Sequence, residues 1–476
     1  MKTTNPNPSF TMIQPPDNPD YSDFVPDPSI VKPAPRKFEI VPGEFYYEIK
    51  RGKIWFKDDK GAWTYLSPQQ FAKHLAATKG LVVNKSKKEL ISETDQHINR
   101  IVRECGVNNV ASLAGYPADT VLHFAGKIIL IPDGPTLPEP SPGEWLLTRI
   151  VLEGLLEGFQ FEHFLWWLSF AIKCQRAGAR RPGQAVFFCG KRNSGKSLLQ
   201  DLITLWLGGR ESQPFRYMTG ATTFNAEVYA AEHARIDDAG SATDIKTRRK
   251  FTDAIKEFVA KRTHSVHPKF QDAFTSPALF IRLTISLNDE PENLTLVPAN
   301  EEAINDKVII YKVAQKPMPM PTGSPEEEAI FWAALEAEAP AFLYHLLNEV
   351  QIPEEWRCGR FGVLHYHHTD ITQARDEMSP AKEFLEIIDL EIFENYSRTT
   401  AIEHLSAKKI ESLLLASDSS VRESAKRLLY WSTACGTYLG HLAKLYPNRV
   451  SRKKTNINTF WTIQPPYPVK DPQESV

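Results

Sequence analysis

The chain of 476 residues lacks any apolar run long enough to span a membrane, and its N-terminus lacks the charged-then-apolar layout of a secretion signal. The expectation is a cytoplasmic protein with no membrane partner. Cysteine is scarce. Cys105, Cys174, Cys189, Cys358 and Cys435 form no Cys-x-x-Cys pair, so neither a disulfide framework nor a zinc ribbon is indicated, and a reducing compartment fits. Excess charge of one sign is missing too. The formal net charge is -2, which rules out a uniformly basic coat and leaves any contact with nucleic acid to local clusters. There is no internal repeat.

What is present is an ordinary globular composition, 42% hydrophobic and 24% charged, over a length that suits two to four domains. Residues 1–36 are proline-rich with few large aliphatics and read as a disordered tail. A small α+β unit is expected over 37–131. In it Ile54-Trp55-Phe56 and Trp63-Thr64-Tyr65 flank the turn Asp58-Asp59-Lys60-Gly61, and helices fall near 68–79 and 93–105. Prolines from Pro132 to Pro142 mark a linker over 132–143. Apolar residues then recur at helical spacing (Leu146, Ile150, Phe164, Trp167, Leu168), which predicts a helical collar over 144–180. Residues 181–315 alternate strand-like and helical runs, the pattern of a parallel α/β sheet. A helical lid and linker is expected over 316–378. The last unit, 379–465, has a helix start at Ser379-Pro380, a capping-box pattern from Ser420 to Glu423, and a helix near 436–445. The basic run Arg449 to Lys454 and a strand Thr459 to Ile463 close it, an order that suggests a winged helix. Residues 466–476 read as a second tail.

The strand-like Ala185 to Cys189 runs into Gly190-Lys191-Arg192-Asn193-Ser194-Gly195-Lys196-Ser197 and then a helical stretch. That is G-x-x-x-x-G-K-[ST] in the strand-loop-helix setting the chemistry requires. Gly190, Asn193, Ser194 and Gly195 would turn backbone N–H groups into a phosphate-sized cup, and the following helix points its positive end there. Lys196 would hold the β- and γ-phosphates of ATP and Ser197 would ligate Mg2+. Forty-one residues after Lys196 comes Asp237, followed by Asp238, at the end of the short strand Ala234-Arg235-Ile236. One acid, Asp237, can hold the metal while the other, Asp238, orients or deprotonates the attacking water. Taken alone the pair reads equally as a helix cap or a turn. The strand Leu279 to Leu287 ends in Asn288, whose amide could reach the γ-phosphate or the lytic water, or could simply form a turn before Asp289. Three such motifs in this order carry more than any one.

The order of P-loop, paired Asp, basic segment and strand ending in Asn resembles the superfamily 3 helicases of small DNA viruses, phages and plasmids. More closely, Gly190 to Ser197, Thr223-Phe224-Asn225, Asp237-Asp238, Ile255-Lys256, His267-Pro268-Lys269 and Arg282 to Asn288 are similar to the ATPase half of phage and mobile-element primase-helicases. The similarity runs over about 145–315 and is weak in the flanks. It implies an AAA+ type sheet, a homo-hexameric ring, single-stranded DNA as partner, and translocation driven by ATP. It also implies a hairpin just before the sensor strand that touches DNA. Lys261 to Phe270 is the matching stretch, with His267 and Lys269 as the DNA-binding residues and a solvated basic turn as the alternative. The family's ring supplies an arginine to the neighbouring subunit's ATP. Here Asn305-Asp306-Lys307 stands at that place, so Lys307 is the candidate, with Arg248 and Arg249 as rivals.

Other features point less far. His365-Tyr366-His367-His368, with Asp370 and Cys358 nearby, has ligand-like composition, but a metal site needs about four convergent donors and core or surface histidines read better. Trp166-Trp167 reads as core of the collar. No acidic triad of a primase stands out in 37–130, so a primase or polymerase would be a separate partner. The rival functions are a small-molecule P-loop kinase and an ATP-dependent replication initiator or loader that does not unwind.

Overall fold

The computed structural model describes residues 40–41, 43–81, 91–237, 245–298, 302–377, 380–394, 400–455 and 459–466. The expected tails, 1–36 and almost all of 466–476, lie outside the described residues, as do Asp238 and Ser379.

The N-terminal part holds β1 (Phe45–Glu48), β2 (Lys53–Lys57), β3 (Trp63–Leu66), α1 (Pro68–Lys79), α2 (Glu93–Glu104), β4 (Gly106–Val107), β5 (Asn109–Val110), β6 (Thr120–Phe124) and β7 (Lys127–Ile131). Its sheets run β3-β2-β1-β4 and β5-β7-β6. The β2–β3 hairpin turns where the sequence places it: Gly61, at φ 79°, donates to Asp58 O at 2.9 Å. Ser67 and Gln70 then box the start of α1, with Pro68 in its first turn.

Next come α3 (Leu146–Leu155) and α4 (Phe159–Arg176). Trp166 and Trp167 are buried in α4, as the helical spacing predicts. The central layer follows with β8 (Ala185–Gly190), α5 (Lys196–Trp206), β9 (Glu211–Ser212), α6 (Phe215–Met218), β10 (His233–Ile236) and α7 (Ile245–Ala260). It continues with β11 (Ser265–Val266), β12 (Phe274–Thr275), β13 (Arg282–Asn288), α8 (Pro291–Leu294), α9 (Glu302–Asn305) and β14 (Val308–Lys312). Five of these strands form one sheet in the order β14-β8-β13-β10-β9, with every pairing parallel. A parallel sheet covered on both faces reads as a continuous apolar run, and β8 (AVFFCG) is buried at every position. Its side chains alternate between two cores. Ala185, Phe187 and Cys189 join Phe251 and Ile255 of α7 on one face, whereas Val186 and Phe188 join α4 and α5 on the other.

The second core is closed by α10 (Pro325–Asn348), whose start is boxed by Ser324 and Glu327 and which carries Pro340 in its interior. Both α3 and α4 are attached to α10. Glu338 accepts from the backbone N–H groups of Leu147 and Thr148 at 2.9 and 2.7 Å, capping α3, which has no side-chain cap of its own. Ser169 of α4 donates to Leu346 O at 2.6 Å.

The chain ends with β15 (Arg357–Cys358), β16 (Gly362–Val363), α11 (Thr369–Glu377), α12 (Pro380–Ile388), a π-helical turn (Asp389–Glu394), β17 (Ile402–Ser406), α13 (Ala407–Leu414), α14 (Arg422–Leu428), α15 (Ala434–Leu445), β18 (Val450–Lys454) and β19 (Thr459–Ile463). The three strands run in the order β17-β19-β18 beside α13 and α15, and the basic run forms the edge strand β18. The capping box expected from Ser420 to Glu423 does not form. Val421 holds the N-cap position of α14 without a side-chain bond, and Ser420 Oγ donates instead to Glu391 at 2.9 Å. A buried carboxylate on a neighbouring element wins the hydroxyl from the local partner.

Among the described residues no group of three or more His, Cys, Asp or Glu side chains converges as a metal site would require. His367 bonds Val308 O at 3.1 Å, and burial pulls its pKa down to about 4. Nor is any described helix long and apolar enough to cross a membrane.

Candidate nucleotide site

The loop Gly190–Ser197 leaves the C-terminal end of β8 and enters α5. Asn193 and Gly195 take positive φ (59° and 88°), which curls the backbone into a concave turn. Both glycines are favoured by the geometry: a Cβ on Gly190 would lie 2.4 Å from Val313 O of the backbone, and Gly195 takes a φ of 88° that a side chain would strain. No side chain caps α5, so its first-turn amides stay available to an anion. Ser194 Oγ is buried there without a partner among the described residues. Lys196, 7% exposed, donates to Gly190 O, Lys191 O and Asn288 Oδ1 at 2.9, 2.7 and 3.0 Å. A nearly buried ammonium inside this loop, at the border of the cleft, is placed where an anion could meet it.

Ser197 Oγ donates to Asp237 Oδ1 at 3.1 Å, and Ser286 Oγ donates to the same oxygen at 2.7 Å. The other oxygen takes Arg235 Nη2 at 3.1 Å. Burial works against ionisation of Asp237, but the two hydroxyls and the Arg235 charge outweigh it and hold its pKa below the ordinary aspartate value. Asp237 therefore stands ionised beside the Ser197 hydroxyl, a pair of oxygen donors suited to a hard divalent cation. Arg235 itself is nearly buried. It also bonds Asp201 of α5 and, at 3.0 Å, Glu211 of β9, so it locks Asp237 to two neighbouring elements.

These groups line a cleft of about 670 Å³. The Gly190–Ser197 loop, Asp237 and Asn288 form its polar side. Met318, Phe331 and Trp332 bring apolar surface from the segment before α10 and from its first turns.

The basic hairpin lies at the far end of the sheet. β11 and β12 pair antiparallel just ahead of β13, with Lys269 and Phe270 exposed between them; Phe270 is 89% exposed at φ 61°. Lys269 Nζ sits 5.1 Å from the centre of the Phe270 ring. His267 is placed differently from Lys269. It is half-buried, its ring 5.2 Å from Phe224, and its backbone N–H donates to Asn225 Oδ1 at 2.6 Å. His267 thus belongs to the hairpin's base. Asn225 also donates from Nδ2 to Ser265 O at 3.0 Å, so one buried amide clamps the hairpin strand.

Lys307 precedes β14, at the sheet edge opposite the Gly190–Ser197 loop. Its ammonium donates to Ala303 O and Asp306 Oδ1, each at 2.8 Å, and its side chain is 12% exposed. Arg248 lies on α7; the side chain of Arg249 is outside the described set.

Sequence reasoning missed Arg235, Asn225, Met318 and Trp332 as site residues. Arg235 carried a signal, a lone cation inside a short buried strand, which requires carboxylates nearby. Met318 and Trp332 carried none, because only the fold brings them to the loop.

No protein-family model matches the chain, and no curated protein matches it. Among solved structures, the apo structure of NrS-1 C terminal region (305-718) superposes with a TM-score of 0.51 at 15% identity, over 88% of this chain and 95% of that one. The A form apo structure of NrS-1 C terminal region-CTR gives 0.50 at 13% identity, over 88% and 96%. At such identities the likeness is one of fold. A JCV helicase structure also matches, at a TM-score of 0.23, below the level at which a shared fold follows.

Proposed function

We propose that this chain is an ATP-dependent DNA helicase of the superfamily 3 type, moving on single-stranded DNA in the replication of a phage, plasmid or integrated mobile element. The observation that carries the reading is the convergence of three distant segments on one cleft: Lys196 meets Asn288, and Ser197 meets Asp237. The buried Lys196 and the amides of the loop would bind the triphosphate of ATP. Magnesium, held by Ser197 and Asp237, would supply positive charge to the phosphoryl group being transferred. Asn288 would position the lytic water or the γ-phosphate, with Asp238 as the acid that activates water. At the far end of the sheet the hairpin would meet DNA through Lys269, with His267 supporting it from the base.

In the same proposal the active form is a homo-hexamer, because each site needs a cation from a neighbour. Lys307, Arg248 and Arg249 are the candidates, and Lys307 would have to leave Asp306 to serve. A primase or polymerase would be a separate partner. The alternative is an initiator or loader that uses ATP to assemble on DNA without unwinding it.

ATP turnover with and without single-stranded DNA, on wild type and Lys196→Ala, tests the reading. Stimulated turnover in wild type and none in Lys196→Ala is expected. Near-normal turnover in the variant would refute the site, and turnover indifferent to DNA would favour a small-molecule kinase. Strand displacement separates helicase from loader.

A further inference from the structure

Phosphate chemistry accounts for one side of the cleft only. On the other side Met318, Phe331 and Trp332 border the space, and so does Leu198, directly after the loop. Leu198, Met318 and Trp332 are each only partly buried against the second core, so each keeps apolar surface turned to solvent. Phe331 is 3% exposed, its ring 6.5 Å from that of Trp332. An indole that is partly packed and partly exposed at the border of a cleft can serve as a stacking platform for a flat heterocycle.

Charge decides which end of a nucleotide lies there. The first turn of α10 carries Glu326, Glu327 and Glu328. The anion-attracting start of that helix is already satisfied from within, since Ser324 accepts from Glu327 N–H and the Glu327 carboxylate accepts from the N–H groups of Gly323 and Ser324. Glu328 borders the cleft, exposed and without an ion pair among the described residues. A carboxylate there repels phosphate and can accept from sugar hydroxyls. Lys196 and the uncapped start of α5 draw phosphate to the opposite side.

We propose that Trp332, flanked by Met318 and Leu198, is the nucleobase subsite of this cleft. It stacks on a purine in preference to a pyrimidine, and Glu328 accepts from the ribose hydroxyls. The inference rests on reading Gly190–Ser197 as a triphosphate loop.

Binding of ATP, CTP and inorganic tripolyphosphate, each with magnesium, tests it on wild type, Trp332→Ala, Trp332→Phe and Lys196→Ala. Wild type is expected to bind ATP above CTP and CTP above tripolyphosphate. Trp332→Ala should weaken ATP roughly tenfold to a hundredfold while leaving tripolyphosphate unchanged, and Trp332→Phe should recover most of the loss. Should Trp332→Ala keep the preference for ATP over tripolyphosphate, or lose both ligands equally, the base subsite is wrong. Lys196→Ala reports on the other end: loss of tripolyphosphate supports the loop reading, and unchanged tripolyphosphate binding sinks that reading separately.

Discussion

Lys196 Nζ and Asn288 Oδ1 are 3.0 Å apart, joining the phosphate-type loop to the last residue of β13, and Asn288 stands in register with Gly190 where both strands end. The bond uses the amide oxygen. The amide N–H donors of Asn288 keep no partner among the described residues and are free to donate into the cleft.

Asn288→Ala is therefore expected to bind ATP within a few-fold of wild type, since Lys196 retains two carbonyl partners. Turnover should fall by roughly 10²–10³, the usual loss when one preorganised donor is removed. Parallel measurement of ATP affinity and kcat checks it; equal losses in both would make Asn288 a binding residue only.

Arg235→Met removes the charge that helps keep Asp237 ionised while preserving most of the packing. The aspartate pKa is depressed in the folded protein, so ionisation of Asp237 stabilises the site at neutral pH, and that contribution fades as pH falls through the depressed value. In the variant the depression shrinks. The acidic limb of the pH–turnover profile should move to higher pH, with a greater magnesium requirement. An unmoved limb would show that Ser197 and Ser286 suffice.

Much of this site is legible in the sequence because its parts are contiguous. Gly190 to Ser197 needs only its own strand and helix to take shape, and Asp237 and Asn288 each end a strand in a sheet whose alternation is plain. The β2–β3 hairpin and α4 follow from period and turn chemistry in the same way. Tertiary choices stay hidden. Arg235 gains its meaning from Asp201 on α5 and Glu211 on β9, and Trp332 from a helix that begins more than a hundred residues after the loop. Ser420 shows the converse, a local signal overridden when Glu391 offers a better partner.

Lys269→Ala should keep basal ATP hydrolysis, lose most stimulation by single-stranded DNA, and fail to displace a strand even at low salt. The hairpin connects α7, which follows the Asp237 strand, to β13, which ends at Asn288, so its height can follow the nucleotide. Lys453→Ala, on the exposed edge strand β18, should lower DNA affinity mainly at high salt and still unwind. Normal unwinding by Lys269→Ala with failure of Lys453→Ala would move the DNA path to the C-terminal unit.

His233 is fully buried between Thr204 Oγ1 and Thr284 Oγ1, at 2.7 and 2.8 Å, and burial lowers its pKa to about 3. His163 and His264 are lowered to about 4. An unfolded histidine takes up its proton near pH 6.5, so the stability these residues confer as neutral groups is complete above about pH 6.5 and is lost as pH falls below it. Each adds a slope of up to about 1.4 kcal/mol per pH unit. Urea unfolding of wild type and His233→Gln, from about pH 7.5 down to about pH 5, should show a shallower decline in the variant.

Pro340 inside α10 has a mechanical consequence. Pro340 cannot donate to the carbonyl of Glu336, so the rod is stiff on either side and compliant across one turn. Phe331 and Trp332 ride on the stretch ahead of that turn, while Ser169 holds the stretch beyond it through Leu346. Glu338, the cap of α3, sits within the compliant turn. The interior turn of α10 that lacks a backbone hydrogen bond of its own is thus the turn that carries the cap of α3.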